Sequence, residues 1–251
     1  MENAGRVVAL NHVGISVADL EAARRFWSEG LAAAEHGAFG WPVGTVPADE
    51  SLATEGTAAE VVLVRTDAAF MELFAFSSPA PARREPGAPG ITGLVWATAD
   101  PDDTRARAIA AGGTSLGERR VSCPDGTPVT LVAAAPDTPT GLVGVLVQVA
   151  DADANTLPTI PGPVEVEVAG GATAAPARPV DLGVNHLCLD VDGIDVVREG
   201  LESVGWHHDV TVSSGGIAAV CYGTTGDGVL VELLESRSPE AFLSRTRLTH
   251  P

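Results

Sequence analysis

Residues 11–17, NHVGISV, alternate aliphatic with polar or small side chains, and residues 18–31, ADLEAARRFWSEGL, then repeat apolar side chains at helical spacing. This order predicts a strand that runs into an amphipathic helix, with Asp19 placed to cap the helix. The pattern returns near the other end of the chain, where residues 185–191 read NHLCLDV and residues 193–205 again have helical periodicity. The sequence therefore contains an internal repeat, which predicts a fold assembled from copies of one unit.

A second landmark recurs at the end of each copy, where residues 72–79 read ELFAFSSP and residues 232–239 read ELLESRSP. Successive side chains of a strand point to opposite faces, so each leading Glu lies opposite its aliphatic neighbours, as does the His of each opening strand. Four candidate metal ligands therefore lie on the strand faces opposite the aliphatic side chains: His12, Glu72, His186 and Glu232.

A carboxylate among aliphatic residues is costly to bury unless it meets a proton, a cation or a metal, and a nearby imidazole suits a metal. A strand His on its own is usually a hydrogen-bonded core residue, and a Glu on an open sheet is often solvated. The recurrence of each His with a matching Glu favours a metal site over both of these alternatives. We therefore predict a divalent metal ion, with Zn, Ni, Co, Mn and Fe all compatible with a His/Glu donor set.

These motifs resemble the vicinal oxygen chelate superfamily of glyoxalases, bleomycin resistance proteins and extradiol dioxygenases. The resemblance runs from the opening NHVGISVADLEAARRFW to the closing VELLESRSP and covers nearly the whole chain. It implies an α+β fold of tandem βαβββ modules, which form cupped mixed β-sheets with the helices outside. It also implies that the two His and two Glu residues occupy the metal-ligand positions on the first and last strands of two facing modules.

The chain divides into about four modules, of which the third is eroded. We predict module 1 in residues 1–80, module 2 without metal ligands in residues 81–137, the eroded module 3 and a linker in residues 138–179, and module 4 with a C-terminal tail in residues 180–251. Within module 1, a Gly/Pro-rich region over residues 37–56 indicates a loop.

The middle modules lack the ligand pattern. Gly93 stands where an opening His would be and Thr130 where a closing Glu would be, so we expect no metal there. Tandem members of the family that look similar pair their outer modules together and their inner modules together, which would unite all four ligands in one site. From this resemblance we infer that module 1 pairs with module 4 and module 2 with module 3. The competing arrangement pairs module 1 with module 2 and module 3 with module 4, and it would leave two incomplete sites.

The resemblance implies a metal with open positions that chelates two neighbouring substrate oxygens and stabilises an enolate or enediolate. The leading hypothesis is a metal-dependent glyoxalase-like enzyme, an isomerase, epimerase or lyase acting on a small carbonyl or hydroxy-carbonyl compound, with Glu72 or Glu232 as general base. One alternative is a non-haem iron extradiol-type dioxygenase, which two His and one carboxylate could support. Another is a metal-free small-molecule binding or drug-resistance protein.

Charge limits the partners that this chain can have. Its 251 residues include 15 Lys+Arg and 33 Asp+Glu, a formal net charge of −18 that disfavours nucleic acid and anionic membrane surfaces. We expect a small-molecule substrate and a monomer or homodimer. An N-terminal stretch without an apolar signal-peptide core, and three cysteines without a C-x-x-C pair, predict a cytoplasmic protein.

Several other reactive side chains have structural explanations. Cys188 and Cys221 lie in predicted strands, where we expect small buried residues rather than nucleophiles. His207 and His208 are adjacent and would point to opposite faces of a strand, so we expect them at the surface or in a pocket wall. Tyr222 either packs in the core or lines the substrate pocket.

Overall fold

The computed structural model describes residues 5–249, which form two β-sheets connected by short helices and turns. The strands are β1 (Arg6–Ser16), β2 (Ala34–Trp41), β3 (Ala58–Arg65), β4 (Phe70–Ser78), β5 (Gly90–Thr98), β6 (Thr114–Gly117), β7 (Arg120–Ser122), β8 (Pro128–Ala133), β9 (Gly141–Gln148), β10 (Glu165–Ala169), β11 (Gly183–Asp192), β12 (Val204–Trp206), β13 (Thr211–Val212), β14 (Ala218–Thr225) and β15 (Leu230–Ser236). The helices are α1 (Leu20–Arg24), α2 (Val46–Ser51), α3 (Pro101–Ala110), α4 (Ile194–Gly200) and α5 (Thr246–Thr249), with a π-helical turn at Arg25–Gly30 and a 3₁₀ turn at Ser214–Gly216. Each of these helices is too short or too polar to cross a membrane.

The larger sheet joins the two ends of the chain. Its strand order is β12-β14-β15-β11-β1-β4-β3-β2, with β13 added beside β14. The opening strands β1 and β11 pair antiparallel, and each pairs on its other side with the parallel closing strand of its own repeat, β4 or β15. The predicted pairing of the two outer repeats is therefore confirmed, and the competing arrangement is wrong.

The smaller sheet has the order β10-β9-β5-β8-β7-β6 and is built in the same way around the antiparallel pair β5 and β9. Gly93 follows a bulge in β5 as His12 follows a bulge in β1. Thr130 of β8 has the register position that Glu72 has in β4. The prediction that Gly93 and Thr130 stand at the positions of the His and Glu ligands is therefore confirmed. The inner strands also pair with each other as expected.

One hydrophobic core joins the two sheets, because buried apolar side chains of both sheets and of the neighbouring helices form a single packed cluster. Asp19 caps α1 as predicted, by accepting a hydrogen bond from the Ala22 amide. The π-helical turn that follows buries Phe26 and Trp27 and contacts α3. The rings of Trp27 and Trp96 lie 5.7 Å apart between centroids, which links the first repeat to the smaller sheet.

The prediction of a loop over residues 37–56 is partly wrong. Its first residues belong to β2, which pairs with β3 at the edge of the larger sheet, and α2 follows. Every residue of β2 is exposed or only partly buried, so this edge strand lacks the alternation that marks a half-buried strand. The residue limits given above for the four modules stay a prediction.

Candidate metal centre

Each candidate His follows a β-bulge in the pair of opening strands. β1 has an extra residue at Asn11 opposite β11, and β11 has an extra residue at Asn185 opposite β1. A bulge bends its strand and changes the direction of the neighbouring side chain. Both His12 and His186 are completely buried, and their rings meet edge to face with 5.2 Å between centroids. The two repeats therefore bring one imidazole each to the centre of the sheet.

The two asparagines fix the orientation of these imidazoles. Asn11 Oδ1 lies 2.9 Å from His12 Nδ1, and Asn185 Oδ1 lies 2.7 Å from His186 Nδ1. The amide nitrogens of both asparagines already donate to other oxygens, so the amide oxygens accept and each Nδ1 carries a hydrogen, as assigned from this network. Both Nε2 atoms are thereby left to face the site.

The four candidate ligands converge on a common point. His12 Nε2 lies 3.1 Å from His186 Nε2, 3.1 Å from Glu232 Oε2 and 3.4 Å from Glu72 Oε2. His186 Nε2 lies 3.4 Å from Glu232 Oε2 and 3.9 Å from Glu72 Oε2. Two donors that are each about 2.1 Å from one ion are separated by roughly 3.0 to 3.4 Å in octahedral or tetrahedral coordination. His12, His186 and Glu232 fit this range and could hold one ion, whereas the 3.9 Å between His186 Nε2 and Glu72 Oε2 exceeds it and leaves Glu72 as a more distant fourth candidate ligand.

The charges around these atoms favour a bound cation. Burial lowers the pKa of His12, but the neighbouring Cys188, Glu72 and Glu232 outweigh burial and raise this pKa well above its ordinary value. Burial raises the pKa of Glu232, yet His12 and His186 hold it below its ordinary range. Glu232 Oε2 is buried and accepts no hydrogen bond from any residue in the described range. A buried carboxylate oxygen without such a partner is costly, and a metal ion would satisfy it.

Gly14 makes room for one of the imidazoles. It pairs with His186 across the β1–β11 ladder, where a Cβ would overlap the ring carbon Cε1 and the nitrogen Nδ1. The equivalent position in the other repeat is Cys188, which pairs with His12. The ligand atoms of His12, Cys188 and Glu232 all lie within 4.8 Å of one another. The two halves of the site therefore differ at this position.

A model of the Glyoxalase/Bleomycin resistance protein/Dioxygenase superfamily matches residues 9–233. The chain belongs to this superfamily. No curated protein matches it. Among solved structures, the fold is similar to glyoxalase I from Zea mays, with a TM-score of 0.64 and 14% identity over 92% of this chain and 93% of that chain.

Two further structures show the same fold. A mutant of the Zea mays enzyme has a TM-score of 0.68 and 13% identity, covering 92% of this chain and 94% of that chain. A candidate dioxygenase from Bacillus subtilis subsp. subtilis str. 168 has a TM-score of 0.60 and 10% identity, covering 98% of this chain and 91% of that chain. The α+β superfamily fold of cupped mixed sheets is thus confirmed over nearly the whole chain.

The face of the larger sheet that carries the candidate ligands also carries a second apolar cluster. Phe74 and Tyr222 each lie 5.9 Å from His186 between ring centroids. Tyr222 pairs with Glu232 across β14 and β15, and burial raises its pKa well above the ordinary value, with the charge of Glu232 adding to the shift. Tyr222 therefore borders the four candidate ligands rather than packing in the core between the sheets.

The C-terminal segment contacts residues that support the site. The carbonyl of Leu243 accepts a hydrogen bond from the Asn11 amide at 2.9 Å. Arg245 donates to the carbonyl of Leu10 at 2.9 Å and lies 3.6 Å from Asp190. This segment thereby supports the bulge of β1 and also contacts its neighbour β11.

Sequence reasoning missed the roles of Asn11, Asn185 and Cys188 at this site. The sequence does mark the asparagines, because Asn directly precedes His in both repeats. His207 and His208 both contact Ser51, through Nδ1 at 2.9 Å and Nε2 at 3.2 Å respectively, and both are partly buried. They belong to none of the candidate metal-binding groups among the described residues.

Proposed function

We propose that this chain is a metal-dependent glyoxalase-like enzyme, an isomerase, epimerase or lyase that removes a proton next to the carbonyl group of a small carbonyl or hydroxy-carbonyl substrate. The observation that carries this proposal is the buried Glu232 Oε2, which accepts no hydrogen bond among the described residues and faces two imidazole nitrogens. His12, Glu72, His186 and Glu232 would hold a divalent ion. When bound, such an ion polarises substrate oxygens as a Lewis acid.

The two carboxylates are held differently, which suggests different roles. Glu72 Oε2 lies 3.4 Å and 3.9 Å from the two imidazole nitrogens, whereas Glu232 Oε2 lies 3.1 Å and 3.4 Å from the same atoms. The carboxylate with the longer contacts can turn toward a substrate at lower cost. We therefore assign proton transfer at the substrate carbon to Glu72 Oε2, as general base, and a holding role to Glu232.

Other residues of the chain support this chemistry by orientation and exclusion of water. Asn11 and Asn185 keep the Nδ1 atoms protonated, so that both imidazoles present Nε2 to the site. Phe74 and Tyr222 line the same face and reduce its contact with water. In a medium of lower polarity, a charge that develops on the substrate interacts more strongly with nearby positive groups.

Two measurements test this proposal. Elemental analysis of full-length protein purified without chelators should find stoichiometric divalent metal. The metal-loaded protein should also exchange the carbon-bound protons of small 2-hydroxy ketones such as hydroxyacetone with deuterated water, as followed by NMR. Glu72→Gln should reduce this exchange by about 100-fold or more, because general-base catalysis contributes on this scale.

Glu60→Gln is the matched control, since Glu60 is an exposed residue of the neighbouring strand β3. It should leave both metal content and proton exchange unchanged. Purified protein without bound metal, and without affinity for added divalent ions, would instead support the metal-free binding protein. Exchange that survives Glu72→Gln at the unmodified rate would exclude Glu72 as the base.

A second candidate function is an iron-dependent extradiol-type dioxygenase. The ligand atoms of His12, Glu72 and His186 lie within 4.8 Å of one another, and two His with one carboxylate are the donor set of many non-haem iron oxygenases. Glu232 would then be an additional acidic ligand, which argues for the first candidate. Oxygen consumption by the iron-loaded protein with catechols separates the two, because only the dioxygenase consumes oxygen.

A further inference from the structure

We propose that Cys188 is an alternative thiolate ligand of this centre, which allows the centre to bind thiophilic metal ions through His12, Cys188 and Glu232. This inference rests on the proposed metal centre and adds a residue to it. It predicts that the centre distinguishes soft metal ions such as Cd²⁺, Zn²⁺ and Co²⁺ from hard ions such as Mg²⁺ and Mn²⁺.

The register of the larger sheet places Cys188 between two candidate ligands. It lies directly opposite His12 on the antiparallel neighbour β1 and directly beside Glu232 on the parallel neighbour β15. It also lies two residues from His186 on the same strand, so both side chains share a face. The donor atoms of Cys188, His12 and Glu232 are all buried and lie within 4.8 Å of one another.

A second observation points to a ligand at this position. Glu232 is only 4% exposed, and its Oε2 atom accepts no hydrogen bond among residues 5–249. Cys221 provides a contrast, because its thiol already contacts the carbonyl of His208 at 3.2 Å and so has a structural partner. The sulfur of Cys188 instead lies beside two candidate ligands, with the donor atoms of His12 and Glu232 within 4.8 Å of it.

The equivalent position in the first repeat shows that this thiol is not required by the fold. Gly14 occupies that position, since it pairs with His186 as Cys188 pairs with His12. The first repeat needs glycine there to avoid overlap with the imidazole of His186. The second repeat has space for a side chain beside His12, and the sequence fills it with a metal-binding one.

The chemistry of the change in ligand is simple. When the sulfur–metal bond forms, the thiol S–H bond breaks and its proton passes to solvent, while no atom is oxidised or reduced. A thiolate is a soft ligand, so the gain in affinity is largest for thiophilic ions and small for hard ions that prefer oxygen. Cys188 would thereby affect metal selection rather than the overall ability to bind metal.

Cobalt titration of the full chain tests this inference. A cysteine thiolate bound to Co²⁺ gives an intense charge-transfer absorption in the near ultraviolet, which His and Glu ligands do not give. We expect this band in the unmodified protein and in the double variant Cys123→Ser/Cys221→Ser, which retains Cys188 as its only thiol. We expect no such band in Cys188→Ser or Cys188→Ala.

Affinities provide a second measurement. Isothermal titration of Cys188→Ser should show Cd²⁺ binding that is weaker by about tenfold or more, the scale on which single changes at metal sites act. Mn²⁺ binding to the same variant should change much less than Cd²⁺ binding, because this hard ion prefers oxygen ligands to a thiolate. Cys221→Ser should change neither affinity, since its thiol contacts a backbone carbonyl instead.

The possible outcomes separate the two proposals. Cobalt binding without the thiolate band, or a band that persists in Cys188→Ser, would overturn the role of Cys188 and leave the proposed metal-dependent function intact. Failure of the unmodified protein to bind cobalt, cadmium and manganese would overturn both. Because the double variant retains Cys188, its spectrum decides the question even if substitution of Cys188 prevents folding.

Discussion

Replacement of Gly14 by alanine would test how the close approach of two strands builds the metal centre. A Cβ at this position would overlap His186 and the side-chain oxygen of Asn185. The imidazole cannot move away freely, because Phe74 and Tyr222 lie against it and Asn185 holds its Nδ1 atom. The added methyl group therefore has to displace either a candidate ligand or the backbone of two central strands.

The size of the effect follows from the contacts. Normal carbon contacts are about 3.5 to 4.0 Å, so the ring must shift by about 1 Å or more. A shift of this size would separate its Nε2 atom from that of His12, now 3.1 Å away, beyond the range of one shared ion. An added methyl group in a packed core costs about 1 to 3 kcal/mol. For a chain of this length, that lowers Tm by roughly 2 to 12 °C.

Thermal unfolding by circular dichroism and cobalt titration would measure both effects. Gly14→Ala should lower Tm by the stated amount and weaken cobalt binding by at least about tenfold. Gly205→Ala is the matched control, because a Cβ at this position on β12 would lie 3.6 Å from the Thr224 carbonyl oxygen, an ordinary contact. If Gly14→Ala binds cobalt as tightly as the Gly205→Ala protein does, the geometric reasoning about His186 is wrong.

Three further predictions concern the supporting residues and the metal. Asn11→Ala should weaken cobalt binding by about 10- to 100-fold in isothermal titration, because the Nδ1 atom of the adjacent imidazole loses its acceptor; unchanged affinity would contradict this role. Burial raises the pKa of Asp190 from 3.8 to about 6, so its protonation favours the folded state and this stability is lost as pH rises through 6. In urea unfolding at increasing pH, the free energy of unfolding of the unmodified protein should fall by at most about 3 kcal/mol for this reason. Asp190→Asn should not show this fall, whereas the exposed control Asp192→Asn should still show it. Saturating metal at about 100 times Kd should raise the free energy of unfolding by about 2.7 kcal/mol, and a chelator should reverse the rise in Tm; a Tm insensitive to both would argue against a metal centre.

The positions of the candidate ligands could be predicted because the repeat marks them twice. His12 and His186 have the same neighbours in two similar strands, and strand alternation then determines the face on which each side chain lies. The pairing of the outer repeats was implied by the resemblance to tandem members of the superfamily, and it unites the four residues. The internal repeat and this resemblance together were sufficient for these features.

The features that depend on the neighbouring strand could not be predicted. The bulges at Asn11 and Asn185 exist only relative to a partner strand, and nothing in either strand alone marks the extra residue. Cys188 was predicted to be buried, and it is. Its position opposite His12, however, depends on a register between strands from opposite ends of the chain. Edge strand β2 was missed because its exposed side chains carry no periodic signal.

The two sheets show how the same backbone can carry or lack such a centre. Bulges recur in β5 and β9, so the bulged geometry belongs to the repeat and does not depend on His. In the larger sheet Gly14 faces His186, whereas in the smaller sheet Val95 faces Gly144, and a Cβ on Gly144 would lie 2.9 Å from Val95 Cβ. Large and small residues have thus exchanged places across the strand pair. A ligand at residue 144 would therefore require a smaller residue at 95 as well, because each pair fills one fixed space.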